Sequence, residues 1–296
     1  MKSGFVSIIG RTNVGKSTLL NTIVNEHIAI TSDKSQTTRN LIQGIYNDDD
    51  TQIVFVDTPG IHKPVSKLGN RLNSQAYYSL DDVDAILFVV DASVPLGKGD
   101  KFIIDKLKKE CELPVILVLN KIDKISDEEL YKKIVEYKDL YDFSDVVPVS
   151  GMKNDNVNRL INVVKTYLTD NQKYYVDNEK TTSSLEFRIC ETVREKVMQL
   201  TDEEVPHSVA CVLLSFEETK NIANISVDII VDRDNLKKIL IGKGGTMLKE
   251  IGSRARLDIE NMLGKQVYLE LYVRTMKKWR AKDKYLKELG YDMFHE

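Results

Sequence analysis

Short apolar runs alternate with amphipathic segments of helical period from Phe5 to about Leu168. The near-continuous Val, Ile and Leu content of these runs is typical of strands buried on both faces of a parallel sheet. Because helical segments separate the runs, the pattern predicts an open α/β sheet with crossover helices. The predicted strands are Phe5–Ile9, Ile53–Val56, Ala85–Val90, Val115–Leu119 and Val146–Val149.

One further strand is predicted ahead of Ile53. The segment Asn40–Tyr46 reads as a strand, and the polar residues 47–50 that follow it read as a turn. A turn this short between two strands predicts an antiparallel hairpin at the edge of the otherwise parallel sheet.

The pattern changes after a polar stretch at residues 170–184, which we interpret as a linker. The segments beyond it have the order α-β-β-α-α-β, which predicts a smaller α+β domain. Its predicted elements are a helix at Leu185–Leu200, strands at His207–Phe216 and Ala223–Val231, helices at Asp234–Leu240 and Thr246–Leu263, a strand at Val267–Val273 and a basic terminal helix. We therefore expect one domain at residues 1–169 and a second at 185–296.

Charge is distributed unevenly between these parts. The 296 residues fit two domains, and their formal net charge is only −3. The segment Leu236–Lys287, however, holds 14 Lys and Arg against 5 Asp and Glu. Such a basic segment on an acidic chain suggests that the second domain binds a polyanion.

Composition excludes several other classes of protein. Cys111, Cys190 and Cys211 are odd in number and far apart, which argues against a disulfide framework or a zinc site. The four histidines are scattered, no apolar run approaches the length of a membrane span, and the first residues do not resemble a signal peptide. We expect a soluble intracellular protein.

The clearest motif is GxxxxGK[ST] at Gly10-Arg11-Thr12-Asn13-Val14-Gly15-Lys16-Ser17, between a predicted strand and a predicted helix. Backbone N–H groups of such a loop surround a β-phosphate, the lysine reaches the β- and γ-phosphates, and the serine binds Mg²⁺. We regard a glycine-rich turn without a ligand as the weaker interpretation.

Two further motifs follow predicted strands. Asp57-Thr58-Pro59-Gly60 supplies a carboxylate for the Mg²⁺ shell and a glycine N–H for a γ-phosphate. Asn120-Lys121-Ile122-Asp123 supplies a carboxylate that can accept both guanine N1–H and N2–H₂, which adenine lacks. The alternative, that these are ordinary strand-end turns, is disfavoured by their order and spacing after a phosphate loop.

The second domain carries Ile241 followed by Gly242-Lys243-Gly244-Gly245 between two predicted helices. A GxxG sequence is weak evidence alone, but this one lies in an element order that resembles a type II KH domain, where the loop clamps a nucleic-acid backbone. The basic residues Lys243, Lys249, Arg254 and Arg256 would neutralise phosphates. Four apolar residues could form either the nucleic-acid groove or the core, and core is favoured for most of them: Ile230, Ile239, Ile241 and Ile251.

With these motifs, nearly the whole chain resembles the Era family of translation-factor-related GTPases. The resemblance also includes Gln36-Thr37-Thr38-Arg39, the continuation Ile61-His62-Lys63-Pro64 and Val149-Ser150-Gly151. It implies an α/β phosphate-loop GTPase domain followed by a type II KH domain, with GTP and GDP as ligands. The implied guanine-nucleotide residues are all residues from Gly10 to Thr18, together with Asp57, Thr58, Pro59, Gly60, Ile61, Asn120, Lys121, Asp123, Ser150 and Gly151.

The same resemblance assigns Mg²⁺ to Ser17, Asp57 and one residue of the Thr37-Thr38 pair. We favour Thr38 over Thr37. Ile61 stands where Ras-like GTPases have a water-orienting Gln, and it cannot perform that role. Relatives with an Asn at position 13 bind K⁺ there, so we expect K⁺-stimulated hydrolysis with Lys16, Asn13, Thr38 and Gly60 as the catalytic groups. His62 is assigned a structural or solvated role.

The implied RNA partner is the 3′ end of small-subunit (16S) ribosomal RNA, and the implied role is maturation of the small ribosomal subunit by a monomeric, cytoplasmic switch. The basic run around Trp279 fits either a solvated face or a weak contact with the inner membrane surface, and Trp279 itself is assigned to anchor its helix. Two other functions stay open: an RNA-binding module whose nucleotide site is only structural, and a GTPase whose C-terminal domain contacts protein or membrane.

Overall fold

The computed structural model describes residues 1–61, 66–78 and 82–291. The chain forms two compact units, each treated separately below. The first unit contains Met1–Thr31, Thr38–Pro64 and Leu72–Thr182, and the second contains Ser32–Thr37, Val65–Arg71 and Ser183–Glu296.

The first unit is built on a six-stranded sheet with the order β2-β3-β1-β4-β5-β6. All neighbouring strands are parallel except β2 and β3, which are antiparallel. The predicted open α/β sheet with one antiparallel edge strand is therefore confirmed. The strands are β1 (Lys2–Ile9), β2 (Ile42–Asn47), β3 (Thr51–Asp57), β4 (Ala85–Asp91), β5 (Val115–Asn120) and β6 (Asp145–Pro148).

Helices cover the two faces of this sheet, as crossover connections between parallel strands require. Every residue of β3, β4 and β5 is buried, which explains why these strands read as unbroken apolar runs. The helices are α1 (Lys16–Val24), α3 (Lys98–Glu110), α4 (Asp127–Lys138), α5 (Val157–Val164) and the part of α2 (Lys67–Tyr78) that begins at Leu72.

The segment interpreted as a linker is attached to the first unit over most of its length. Gln52, which is fully buried, accepts hydrogen bonds from the backbone N–H groups of Tyr174 (2.8 Å) and Tyr175 (3.0 Å) and donates to the Tyr175 carbonyl oxygen (2.9 Å). Further along, the N–H of Ile45 donates to the carbonyl oxygen of Lys180 at 2.9 Å. This segment therefore covers the free edge of β2, which would otherwise expose unpaired backbone groups.

The second unit has a three-stranded sheet of order β7-β8-β9, with β7 and β8 antiparallel and β8 and β9 parallel. Helices α6, α8 and α9 share one apolar core with this sheet, so the predicted α+β order is confirmed. The elements are α6 (Leu185–Leu200), α7 (Val205–Ser208), β7 (Ala210–Glu218), β8 (Ile222–Val231), α8 (Asp234–Ile241), α9 (Thr246–Leu263), β9 (Gln266–Thr275) and α10 (Asp283–Glu288).

Three local predictions were wrong. The first strand of the second unit begins at Ala210 rather than His207, because Pro206 lies in the first turn of the short helix α7. The sixth strand is displaced by one residue, to Asp145–Pro148. The basic terminal helix is a 3₁₀ turn at Trp279–Ala281 followed by the short α10.

Within the described ranges, no helix combines the length and apolarity needed to cross a membrane.

Candidate functional site

The phosphate-loop motif connects the carboxyl end of β1 to the amino end of α1. Gly10 and Gly15 have φ values of 153° and 96°, in the region that favours glycine. A Cβ atom at Gly10 would lie 2.3 Å from the Val89 carbonyl oxygen, and one at Gly15 would lie 2.4 Å from Asn120 Nδ2. The loop therefore packs tightly against neighbouring strand ends, with backbone N–H groups at a helix amino terminus where an anion binds favourably.

Lys16 is the first residue of α1 and is only 6% exposed. Its Nζ donates to the carbonyl oxygens of Gly10 (3.3 Å) and Arg11 (2.9 Å) in the same loop. Burial lowers the pKa of Lys16 to about 8, although the nearby Asp57 carboxylate acts in the opposite direction. An ammonium held by neutral carbonyl groups can exchange them for hydrogen bonds to polyphosphate oxygens, which are stronger because both partners are charged.

Three oxygen-bearing side chains converge beside this loop. Ser17 Oγ lies 2.6 Å from Asp57 Oδ2 and 2.8 Å from Thr38 Oγ1, and Thr38 Oγ1 lies 3.4 Å from Asp57 Oδ2. Thr37 does not belong to this group, because its hydroxyl donates to the Lys34 carbonyl oxygen. The geometry therefore distinguishes the two threonines and brings Thr38, but not Thr37, beside Ser17 and Asp57.

Asp57 is fully buried, and burial raises the pKa of its carboxyl although Lys16 and the two hydroxyls act against that shift. Its Oδ1 atom is buried and has no hydrogen-bond partner among the residues that the structure describes. One carboxylate and two hydroxyls form a hard oxygen set of the kind that Mg²⁺ prefers. Three protein oxygens would leave the other positions of an octahedral shell to water. The donor set therefore fits the ion.

The backbone after Asp57 lies against the phosphate loop. A Cβ atom on Gly60 would be 2.7 Å from the Cα of Thr12, and the N–H of Ile61 donates to the Gly10 carbonyl oxygen at 3.1 Å. The Ile61 side chain is 4% exposed and belongs to the core cluster of β4, β5 and α3, so only its backbone faces the loop. Thr58 donates to the Ile8 carbonyl oxygen at 2.8 Å, which is a structural role. His62, Lys63 and Pro64 lie outside the described residues.

The two loops assigned to base recognition are joined to each other and to the phosphate loop. Ser150 Oγ donates to Asp123 Oδ1 at 2.6 Å, while Asp123 itself is exposed. Asn120 Nδ2 donates to the Val14 carbonyl oxygen at 2.9 Å, and Asn120 Oδ1 accepts from the Gly151 N–H at 3.0 Å. Ser150 therefore engages one oxygen of the exposed Asp123 carboxylate, while Asn120 joins the two base loops to the phosphate loop.

Gly151 packs closely against the first helix of the unit. A Cβ atom at this position would lie 3.2 Å from the Cα of Leu19 in α1, closer than most Cβ contacts. The Gly151 N–H donates to Asn120 Oδ1 at 3.0 Å. This amide therefore connects the two base loops.

Two acidic residues beside the phosphate loop were missed by the sequence analysis. Asp100, which is fully buried in the first turn of α3, accepts from Arg11 Nε at 2.8 Å. A Cβ atom on Gly97 would lie 2.7 Å from the Arg11 side chain, and one on Gly99 would lie 2.6 Å from it. The Arg11 side chain therefore packs directly against the backbone of these two glycines. The Arg11 side chain is thereby fixed to α3. Asp91, at the end of β4, is the second missed residue.

The GxxG loop of the second unit joins α8 to α9 in a conformation that depends on glycine. Gly242 has φ 73° and ψ 173°, and a Cβ atom there would lie 2.8 Å from the backbone nitrogen of Met247. Gly244 and Gly245 have φ values of 62° and 80°, and no atom lies within 4 Å of a Cβ built on either. The last two glycines therefore present an open backbone to a ligand.

A groove of about 490 Å³ runs from this loop between α9 and β9. Gly245, Lys249 and Arg256 lie along it, together with Tyr268, which was not predicted and is 55% exposed. Arg254 does not line the groove and instead pairs with Glu250 at 2.7 Å. The groove combines cations, a small-residue loop and an aromatic ring, which suits a single strand of nucleic acid.

The remaining predicted residues of this unit have structural positions. Ile241 is half-buried ahead of the loop, and Ile230 and Ile251 are fully buried. Trp279 is fully buried, and its Nε1 donates to the Ser208 carbonyl oxygen at 2.9 Å. The anchoring role predicted for this tryptophan is confirmed.

Comparison with known proteins finds two family models that match separate parts of the chain. Residues 5–121 match the family model described as 50S ribosome-binding GTPase, and residues 204–280 match the KH domain model. The chain is 40% identical to Era in a crystal structure with MgGDPNP and nucleotides 1506–1542 of 16S ribosomal RNA, with a TM-score of 0.96 over 99% of this chain and 100% of that one. It is also 40% identical to a point variant of Aquifex aeolicus Era bound to GDP·AlF₄⁻, with a TM-score of 0.95 over 99% and 100% of the two chains.

Both of these structures extend over the two units and the segment that joins them, and their identity to this chain is well above the level at which only a fold is shared. The phosphate-loop site and the GxxG groove thus occur together in one known architecture. The chain belongs to the Era family, and it is a GTPase with a C-terminal KH domain.

Proposed function

We propose that this chain is a GTP-driven switch that binds the 3′ end of 16S ribosomal RNA through its KH domain and assists maturation of the small ribosomal subunit. The observation that carries the proposal is the convergence of Ser17, Thr38 and Asp57 beside Lys16 in the same chain as an open GxxG groove. A nucleotide site that served structure alone would not require a threonine from a separate segment at the Mg²⁺ position.

The switch follows from the positions of Thr38 and Gly60. Both belong to segments that connect elements rather than to the sheet, and Gly60 lies in contact with Thr12 of the phosphate loop. A γ-phosphate would engage the Gly60 N–H and, through the metal shell, the Thr38 hydroxyl, so both segments would be ordered while GTP is bound. Loss of that phosphate would release them.

We propose Mg²⁺ as the metal, with Ser17, Thr38 and Asp57 as the protein groups that hold it or its waters. When bound, the ion neutralises charge on the β- and γ-phosphates. Lys16 would supply the second positive charge from beneath the loop.

We also propose that K⁺ stimulates hydrolysis through Asn13, because Ile61 is committed to the core and cannot orient water. Asn13 is exposed at the rim of the phosphate loop with a φ of 65°. The Asn13→Ala variant is expected to lose the difference between hydrolysis rates in KCl and NaCl, measured at equal ionic strength with saturating Mg²⁺. Hydrolysis like that of the wild type in both salts would contradict a role for Asn13 in cation stimulation.

For RNA binding, the sharpest test is Gly244→Asp with Gly244→Asn as the matched control. Asp and Asn both tolerate the positive φ of this residue, and nothing lies within 4 Å of an added Cβ, so both variants should fold. Only Asp adds a negative charge opposite the RNA phosphates. We expect its Kd for a 3′-end 16S RNA to rise about tenfold or more, with Asn within about threefold of wild type.

Affinities would be measured by fluorescence anisotropy at two salt concentrations, since the phosphate contribution weakens with salt. Equal RNA affinity for wild type and Gly244→Asp would remove the GxxG loop from the interface. The nucleotide site serves as an internal check, because GDP affinity should not change in either variant.

We propose a monomer that acts in the cytoplasm, where ribosomal subunits mature. The exposed residues Lys277, Lys278, Lys282 and Lys284 could add a weak contact with an anionic membrane surface. Light scattering tests the first proposal, and co-sedimentation with anionic vesicles at low and high salt tests the second.

A further inference from the structure

Asp91 is the last residue of β4, and its neighbour in the register with β5 is Asn120, the first residue of the base-recognition motif. The carboxylate belongs to none of the motifs that define the nucleotide site. It nevertheless lies at the carboxyl edge of the sheet, where ligands of open α/β sheets bind. Its contacts show what it does there.

Asp91 Oδ2 accepts a hydrogen bond from Lys121 Nζ at 2.6 Å. The same ammonium donates to the backbone carbonyl oxygen of Asn13 at 2.7 Å. The Lys121 side chain thus extends from the base loop across to the phosphate loop, and the carboxylate holds its far end. Lys121 itself has a φ of 65°, an uncommon value for a residue with a side chain.

The carboxylate is itself held in one orientation. Asp91 Oδ1 accepts from the hydroxyl of Ser93 at 2.6 Å and from its N–H at 3.0 Å, and the Asp91 side chain is 11% exposed. Burial favours the neutral carboxyl, but the hydrogen bonds from Lys121 and Ser93 outweigh it and lower the pKa of Asp91. Asp91 is therefore an oriented, ionised acceptor for the lysine.

We propose that Asp91 is a positioning residue for guanine-nucleotide binding: it fixes the Lys121 side chain between the base loop and the phosphate loop. This inference rests on the guanine-nucleotide site proposed above. A lysine side chain has much rotamer freedom to lose on being fixed, and Asp91 removes that freedom before the nucleotide arrives. The stem of Lys121 then forms a preformed wall of the base site.

Two consequences distinguish positioning from general support of the fold. Lys121 contacts neither Thr38 nor Gly60 in the described hydrogen bonds, so the effect of losing Asp91 should be the same for GDP and GTP. In addition, Asp91 should matter only while Lys121 is present. The matching experiment is a double-mutant cycle between the two residues.

The variants are Asp91→Asn, Lys121→Met and the double variant, with Asp145→Asn as control. Asp145 is also a hydrogen-bonded strand carboxylate, but it begins β6 and accepts from Tyr167 at 2.6 Å. Kd values for GDP and GTP would be measured in the full chain by displacement of a fluorescent GDP analogue. Hydrolysis kinetics would separate KM from kcat.

We expect Asp91→Asn to raise both Kd values about 10- to 50-fold, within the range of loss of a charge-assisted contact, with the loss appearing in KM more than in kcat. In the Lys121→Met background the same substitution should change Kd less than about twofold. Asp145→Asn should bind like wild type. Unchanged affinity in Asp91→Asn, or additive effects in the double variant, would overturn the proposal.

Ser93→Ala provides a milder variant if Asp91→Asn does not fold. It removes one support of the carboxylate, and we expect a Kd increase of about two- to fivefold that also disappears without Lys121. An increase that persists in the Lys121→Met background would overturn the proposal. Failure of the proposed function has a different signature, since wild-type protein would then not bind guanine nucleotides at all.

Discussion

Replacement of Asp123 by Asn is expected to change the base preference of the chain from guanine to xanthine. The carboxylate can accept from guanine N1–H and N2–H₂, whereas an amide would set its own NH₂ donor against them. Xanthine carries a carbonyl oxygen in place of the guanine amino group, so it can accept from that amide. Sites that pair buried polar groups discriminate by about 10⁴ against a ligand lacking the partner, and we expect GTP affinity to fall by about 10³ or more.

The hydrogen bond between Ser150 and residue 123 should be retained in this variant. Ser150 Oγ donates to Asp123 Oδ1 at 2.6 Å, and the Asn side-chain oxygen can accept the same hydrogen bond. Competition binding with GTP, XTP and ATP measures the change, and Asp155→Asn, an exposed residue of the same loop region, is the control. A variant that still prefers GTP to XTP would show that another group selects the base.

Lys16→Met is expected to reduce GTP hydrolysis by about 100- to 1000-fold, the usual cost of losing one preorganised charge-stabilising donor. Lys16 Nζ donates to two loop carbonyl oxygens at 2.9 and 3.3 Å, and the same ammonium would bind the β- and γ-phosphates of GTP. The substitution should therefore weaken binding of the polyphosphate and stabilisation of its charge during hydrolysis. The thermal stabilisation that GTP and Mg²⁺ give by binding the native state should disappear with it.

Single-turnover hydrolysis and thermal unfolding with and without nucleotide measure these two effects. Lys124→Met is the matched control, since Lys124 is exposed just beyond the base loop. Wild-type hydrolysis in Lys16→Met would mean that the phosphate loop binds nucleotide without using its lysine.

The sequence predicted the sheet and the nucleotide motifs well, for a physical reason. Strands buried on both faces must be almost wholly apolar, and β3, β4 and β5 are buried at every position. Phosphate-loop glycines are needed for backbone conformation, so their spacing is visible without any knowledge of tertiary contacts. Gly10 and Gly15, with positive φ, are examples.

Residues that act through a distant partner could not be found in this way. Asp91 lies 30 positions from Lys121, and Asp100 lies 89 positions from Arg11, so no local spacing marks either pair. A single Asp at a strand end resembles any turn residue. The attachment of the linker to Gln52 was missed for the same reason, because its polar composition is equally typical of a free connection.

The second unit was predicted in order but less well in detail. Ile239 lies on α8 with the spacing of a core residue, but it is 49% exposed, whereas Leu236 and Leu240 of the same helix are buried. The terminal basic run was read as one helix, but Lys278 has a φ of 56° and the chain turns there to bury Trp279. In both places tertiary packing overrides the local pattern of a small domain.

The central claim is that one chain hydrolyses GTP and couples that reaction to 16S ribosomal RNA. The most direct test is the rate of GTP hydrolysis by the full chain, with and without a 3′-end small-subunit RNA, in K⁺ and in Na⁺. The account predicts slow basal turnover that increases with RNA and is faster in K⁺. Absence of GTP hydrolysis with both RNA and K⁺ present would contradict it and would favour an RNA-binding module with a structural nucleotide site.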